Sequence, residues 1–362
     1  MGREVGVYVH IPFCVSRCKY CDFYSTTLLD LRHQYATAVA TEAQDRISEG
    51  TPVRTIYFGG GTPSVLLTED IALVLNTILS RSCIEPIEIT LEANPGDLDI
   101  DKLRELRRLG INRLSIGIQS FNDEMLQRIG RRHNADEARQ AVAMAKAAGF
   151  DNISIDLMYA LPGQTIDDWK QQIYEALRLG VQHISAYCLS YEPNTVFGKL
   201  LASGLLSETD DETANRMADV LAETLTANGF VHYEVSNFAL PNYESRHNSS
   251  YWTNVPYIGL GAGAHSYDGA TRSWNINDVN RYISDSLAHC LQPERETLTD
   301  DDKRMEQIML GLRTSKGIEL SAVDKEKAYD YVRRGLLTLD NNRVIATRKG
   351  IHILNRIIED LI

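Results

Sequence analysis

Along the first two-thirds of the chain, short runs of alternating apolar and polar residues trade places with longer stretches whose apolar residues recur at helical spacing. The strand-like runs are VGVYVHI (5–11), RTIYFGGG (54–61), IEITLEANP (87–95), RLSIGIQS (113–120), NISIDLMYALPG (152–163) and HISAYCLS (183–190). Between them, EARQAVAMAKAAG (137–149) sets Ala138, Ala141, Val142 and Ala145 on one helical face. Residues 165–180 place Trp169, Ile173 and Leu177 at i, i+4 and i+8, and Gly180 stops the helix. Six strand-then-helix units predict a parallel βα array. The pattern carries no dinucleotide fingerprint and no GK[ST] phosphate loop, so an α/β fold closing as a partial (β/α)6, TIM-like barrel is the expectation.

Parallel strands packed on both faces normally read as continuous apolar runs. Here Ile87, Ile89 and Leu91 alternate with Glu88, Thr90 and Glu92, and Leu114, Ile116 and Ile118 alternate with Ser115, Gly117 and Gln119. Ile153, Ile155 and Leu157 alternate with Ser154 and Asp156, and Val5, Val7 and Val9 with Gly6, Tyr8 and His10. A two-residue period puts each polar set on one face. With the apolar face against helices, the lumen would be lined by Tyr, Glu, Gln and Asp, where an ordinary eight-stranded barrel carries Val, Ile and Leu. Such a lumen suits a large polar ligand at the C-terminal mouth; half-solvated strands of an open sheet are the alternative. By the same parity Cys188 joins Ile184 and Ala186 on the helix side, as packing.

The chain has 362 residues, enough for one large domain and a smaller one. Residues 300–362 carry 12 Lys/Arg against 11 Asp/Glu, so the acidity behind the net charge of −12 lies before them. That shift coincides with QPERETLTDDD (292–302), which reads as a linker between residues 1–290 and a small, mainly helical, winged-helix-like unit over 300–362. The near-neutral charge of that unit argues against DNA, and it is expected to cover the barrel mouth or meet a partner. Overall acidity argues against nucleic acid as the main partner. No run of 18 apolar residues and no secretory pattern occurs, which predicts a cytoplasmic protein without a transmembrane segment; peripheral membrane contact stays open.

In HIPFCVSRCKYCDFYS (10–25), Cys14, Cys18 and Cys21 follow directly on the first strand-like run, where a barrel's functional loops lie. A structural zinc site wants four closed ligands, and Cys83, Cys188 and Cys290 stand alone, so no second knuckle exists. An iron–sulfur cube held by three thiolates instead of four keeps one iron open to another ligand. FGGGTPS (58–64) closes the second run with three glycines, which let backbone approach a ligand closely; an ordinary tight βα turn is the plainer alternative.

These segments resemble the radical S-adenosylmethionine enzymes, whose C-x3-C-x2-C loop holds a [4Fe–4S] cluster. The resemblance implies Cys14, Cys18 and Cys21 as cluster ligands and S-adenosylmethionine on the open iron. YVHIPFC, GGGTP, EANP, SIGIQSF with LQRIGRRH, and DLMYALPGQT are similar, in order, to the oxygen-independent coproporphyrinogen III oxidase-like family. Carried over position by position, Tyr8, Gly61, Thr62, Pro63, Glu92, Gln119, Arg131 and Asp156 match residues that contact S-adenosylmethionine there. Tyr20 matches an aromatic beside the second nucleotide of that family. Four of these, Tyr8, Glu92, Gln119 and Asp156, also belong to the polar face read from the strands.

Two departures set the chain apart from the oxidase. Phe23 stands where the oxidase has a further cysteine, and only 13 residues precede Cys14 where the oxidase carries a long segment. Both argue against porphyrinogen decarboxylation. RHNSSYWTNVPYIGLGAGAHSYDG (246–269) instead resembles the signature of the HemW-type haem chaperones, which bind haem and deliver it to haem proteins such as those of the respiratory chain. That resemblance implies haem as a ligand, an acceptor haem protein as partner, and His247 as a haem contact beside Tyr251 and Trp252. His265 is the substitute iron ligand. From side-chain chemistry alone, a capped loop with His247 bonding backbone and Trp252 buried in the barrel wall explains the same residues.

Overall fold

Each of the six strand-like runs forms a strand, because each offers one apolar face to a covering helix. The computed structural model describes residues 3–362. The strands are β1 (Val5–Ile11), β2 (Val53–Gly60), β3 (Glu88–Ala93), β4 (Arg113–Gln119), β5 (Ile153–Tyr159) and β6 (His183–Cys188), parallel and neighbouring in chain order. Helices Arg32–Arg46, Thr68–Arg81, Ile100–Arg108, Ala135–Ala147 and Ile166–Arg178 cross between them. Val7, Val9, Ile56, Phe58, Leu91, Leu114, Ile116, Ile155 and Leu157 are all buried in one continuous core with the helices' inner faces. Trp169, fully buried, donates its indole N–H to the Met217 carbonyl at 3.0 Å and so ties that core to the helix Asp211–Ala227.

The sheet does not end with these six. On one side β7 (Val231–Glu234) and β8 (Asn237–Ala239) extend it beyond β6. On the other, β9 (Tyr257–Leu260) pairs with β1 in parallel, followed by antiparallel β10 (His265–Tyr267), β11 (Thr271–Trp274) and β12 (Glu294–Thr297). The polar stretch expected to be a linker therefore carries an edge strand: Glu294 to Thr297 pair with Trp274 to Thr271. No apolar alternation announces it, because a fully exposed edge strand needs none.

Residues beyond it build a second core. Ile308, Leu312, Ile318, Tyr331, Val344, Leu354 and Ile357 cluster together, separate from the barrel core. Three short strands, β13 (Ile318–Glu319), β14 (Leu337–Asp340) and β15 (Arg343–Ala346), form a small sheet among helices Asp300–Gly311, Lys325–Arg333 and Leu354–Leu361. The tight β14–β15 turn through Asn341 and Asn342, both left-handed, supplies the wing. Main-chain bonds from Val235 N–H to the Arg313 carbonyl and from Ser315 N–H to the Tyr233 carbonyl, each 3.0 Å, join this unit to β7. Arg272 on β11 adds two 2.8 Å bonds to the Glu306 carboxylate.

The turn between β9 and β10 is held by a buried acid. Glu42 (2% exposed) accepts from Arg46, from the Asn275 amide and from Gly261 N–H, at 2.7–2.8 Å, and from the Tyr282 hydroxyl at 2.5 Å. Four donors to one carboxylate satisfy its lone pairs, so burial costs little while the set is complete. Glu42→Ala leaves those donors without partners. The expected loss of folding stability is about 3–5 kcal/mol, read by urea denaturation, whereas Asp45→Ala, at an exposed acid of the same helix, should change it by less than ~1 kcal/mol.

Candidate functional site

The loop after β1 is folded back onto the barrel's C-terminal end by main-chain bonds, Cys14 N–H to the Thr26 carbonyl at 2.9 Å and Thr26 N–H to the Pro12 carbonyl at 2.7 Å. Cys18 and Cys21 share a tight turn through Cys21 N–H and the Cys18 carbonyl at 3.3 Å. All three cysteines are free thiols and line one cavity of about 610 Å³ at the mouth of the barrel. Among the described residues no group of three His, Cys, Asp or Glu side chains is placed to hold a single ion; the thiolates of a cube would instead each bind a separate iron. Burial pushes the Cys14 and Cys21 thiols up, so loading a metal there releases protons.

The glycines are placed by contact. Gly60 has φ +113°, and a Cβ on it would stand 2.6 Å from the His10 ring. A Cβ on Gly61 would stand 2.9 Å from the Phe13 carbonyl oxygen. The end of β2 can therefore lie directly against the cysteine loop only as glycine. Thr62 then reaches Cys14, Oγ1 to Sγ, at 3.5 Å.

The opposite wall of this cavity is polar. Glu92 accepts from the Tyr57 hydroxyl at 2.7 Å and from Gly60 N–H at 3.2 Å, and Asp156 accepts from Ser115 at 3.3 Å. Burial, with the Asp156 charge, lifts the Glu92 carboxyl to about 7, and burial also raises Asp156. Gln119 closes β4 with φ +69°, in the left-handed region, where the ladder to β5 slips by one residue. That bulge turns its side chain into the mouth, a placement typical of functional sites. Arg131 donates to the Gly117 carbonyl and, at 3.5 Å, to Cys18 Sγ, while its Nε has no partner.

Most of the residues expected at the site come together. Cys14, Cys18, Cys21, Tyr20, Gly61, Thr62, Glu92, Gln119, Arg131 and Asp156 all line this cavity. Pro63 is buried behind it at the start of a 3-10 turn. Tyr8 lies one cavity over, its hydroxyl 3.1 Å from His10 Nδ1. Tyr57 and Tyr187 were missed, although Tyr57 shares the parity of Thr55 on β2. Cys188, expected as packing, is instead exposed at the tip of β6 and lines this cavity. The C-terminal unit contributes no residue to this wall.

His247 does not offer itself to iron. It is fully buried at the opposite, N-terminal end of the barrel. Its Nδ1 stands 2.8 Å from Thr55 Oγ1 and its Nε2 2.8 Å from the Tyr251 hydroxyl, so both ring nitrogens are engaged. The helix Arg246–Trp252 is seated by Glu88, which accepts from Arg246 N–H and His247 N–H at 2.9 Å each. The capped loop weighed against haem contact is found in part: Ser245 caps the helix, but the ring nitrogens of His247 meet two hydroxyls and no backbone group, and neither is free for iron in this arrangement. Trp252 is half-buried and lies near the C-terminal unit instead of in the wall.

A second cavity, about 710 Å³, adjoins the first between the cysteine loop and β9–β11. Asp22 and Phe23 line both cavities and form the partition. Phe23 is 67% exposed.

Iron and sulfide content of anaerobically reconstituted single variants checks the cluster assignment. Cys14→Ser, Cys18→Ser and Cys21→Ser should each lose most of both, whereas Cys83→Ser and Cys290→Ser should keep wild-type content.

Comparison with known proteins agrees with this geometry. Residues 8–173 match the radical SAM superfamily and residues 298–353 the HemN C-terminal domain. Heme chaperone HemW of Bacillus subtilis is 37% identical over 95% of this chain and 96% of its own. The protein of the same name from Lactococcus lactis is 36% identical over 99% and 97%. That of Escherichia coli is 38% identical over 72% and 69%. Among solved structures, coproporphyrinogen III oxidase (HemN) from Escherichia coli superimposes with a TM-score of 0.85 over 99% of this chain and 90% of its own, at 22% identity, a likeness of fold. With full-length identity to the chaperones and a cysteine loop set on the mouth of a six-unit parallel barrel, the chain belongs to the HemW family of the radical SAM superfamily.

Proposed function

We propose that this protein carries haem to acceptor haem proteins, and that Cys14, Cys18 and Cys21 hold a [4Fe–4S] cluster with S-adenosylmethionine beside it. The observation that carries the reading is the full-length likeness to relatives named as heme chaperones, joined to the exposed Phe23 where the oxidase has a cysteine. When bound, the cluster supplies a single electron to the sulfonium nucleotide. The chain's own residues bind and orient. Glu92, Gln119 and Asp156 offer acceptors to the nucleotide's amino and hydroxyl groups, and Arg131 holds the bulged end of β4 against Cys18. The second reading, oxidation of coproporphyrinogen III, rests on the oxidase-like barrel.

The two readings separate in one anaerobic experiment. Coproporphyrinogen III, S-adenosylmethionine and a reductant should give no protoporphyrinogen at catalytic turnover, while ferric haem titrated into the same preparation should be retained through gel filtration. Turnover to protoporphyrinogen would restore the oxidase.

The Glu92 carboxyl adds a pH test. Held near 7 by burial, it must lose its proton to pair with a cationic nucleotide. Affinity for S-adenosylmethionine should rise by up to ~tenfold per pH unit below about 7 and flatten above it. Glu92→Gln, measured by equilibrium dialysis, should bind more weakly at pH 8 and lose that slope. The sign for stability is opposite. A carboxyl with a raised folded pKa disfavours the fold as pH climbs from its unfolded value toward about 7, so Glu92→Gln should stabilise the ligand-free protein at pH 8.

A further inference from the structure

Of the nine histidines in the chain, eight have a ring nitrogen in a hydrogen bond: His10, His33, His133, His183, His232, His247, His289 and His352. His265 makes none among the described residues, and it is exposed. Its place in the fold is specific. His265 faces Trp274 across the β10–β11 ladder, with ring centroids 5.8 Å apart and planes 26° from parallel. Alternation along the two strands puts Tyr267 and Arg272 on that same face, and all four line the 710 Å³ cavity beside the cysteine loop. The intervening Ser266 points the other way, to Arg46 and Gly259.

A free imidazole and flat aromatic walls are what a metalloporphyrin requires: a nitrogen for the iron and π-faces for the ring. Cavities for ligands of such size run from roughly 300 to 1,000 Å³, so the volume is suitable. Phe23 adds an exposed aromatic surface opposite the strands. Burial and the Arg272 charge push His265 down, which keeps the imidazole in the neutral form that binds metal.

We propose that haem occupies the cavity between the cysteine loop and β9–β11, with a ring nitrogen of His265 as the axial ligand of its iron and Trp274 and Phe23 against the porphyrin. This deepens the haem-carrier reading and rests on it. It also places the cargo against the partition formed by Asp22 and Phe23, in direct contact with the loop that carries the three cysteines.

The test uses the full-length protein, ferric haem and metal-free protoporphyrin IX, read by absorption and by titration. His265→Ala should shift the Soret band and weaken haem binding by roughly tenfold or more, and added imidazole should bring the wild-type band back. Protoporphyrin IX, with no iron to ligate, should bind wild type and His265→Ala equally. Phe23→Arg should weaken both porphyrins, because the residue is exposed and the change spares the fold. If wild type binds haem and His265→Ala keeps its affinity and its Soret band, the site is elsewhere and the carrier reading stands. If wild type takes up no haem, both fall.

Discussion

The barrel's polar interior depends on the two main-chain hydrogen bonds that Arg246 and His247 donate to Glu88. Near the N-terminal end of the strands lie Thr55, Glu88, Arg113 and His183, all buried. A carboxylate buried there without donors would cost several kcal/mol, enough to disfavour the closed end. The helix Arg246–Trp252 removes that cost and turns the end of the lumen into a plug. Once it is seated, the chain leaving it must run beside β1, and β9 to β11 arrive next to the cysteine loop. The second cavity is therefore a by-product of how the first barrel is closed.

This explains why HNSSYW could be picked out from sequence but misread in role. A histidine followed by a tyrosine four residues on suggests a ligand with an aromatic neighbour. What it does here is bond Thr55, 192 residues earlier, and that partner is invisible in any local pattern. His265 gives the converse lesson. Nothing nearby in the sequence marks it as unpaired; only the full set of contacts shows that, among the described residues, it alone of the histidines is without a hydrogen-bond partner.

The legible part of the fold was the part with a repeat. β3, β4 and β5 alternate so regularly that the wet face and its Glu92, Gln119 and Asp156 could be read before any coordinates, and the cysteine spacing carried the loop. β7, β8 and β10 to β12 were silent because they are three or four residues long, and their strand character comes from the sheet edge they extend. Cys188 marks the limit of parity arguments: alternation says which way a side chain points, but not whether anything covers it. In the C-terminal unit, the helices were visible as apolar stripes, whereas β13 and β14 rely on turn residues and on pairing with β15.

The parallel pairing of β1 with β9 joins residues some 250 positions apart, Gly6 with Tyr257 and Val9 with Leu260. During synthesis at about 5–20 residues per second, β1 waits for its second neighbour for at least ~10 s after it leaves the ribosome. Through that interval β1 has an unpaired edge and the plug is missing, so the polar lumen is open to water from below. The cysteine loop, already made, has only one of the two surfaces it will eventually divide. Nascent chains of this protein thus pass through a stage in which the thiols of the cysteine loop are present but unsheltered, a stage that ends only when the last third of the chain has folded back.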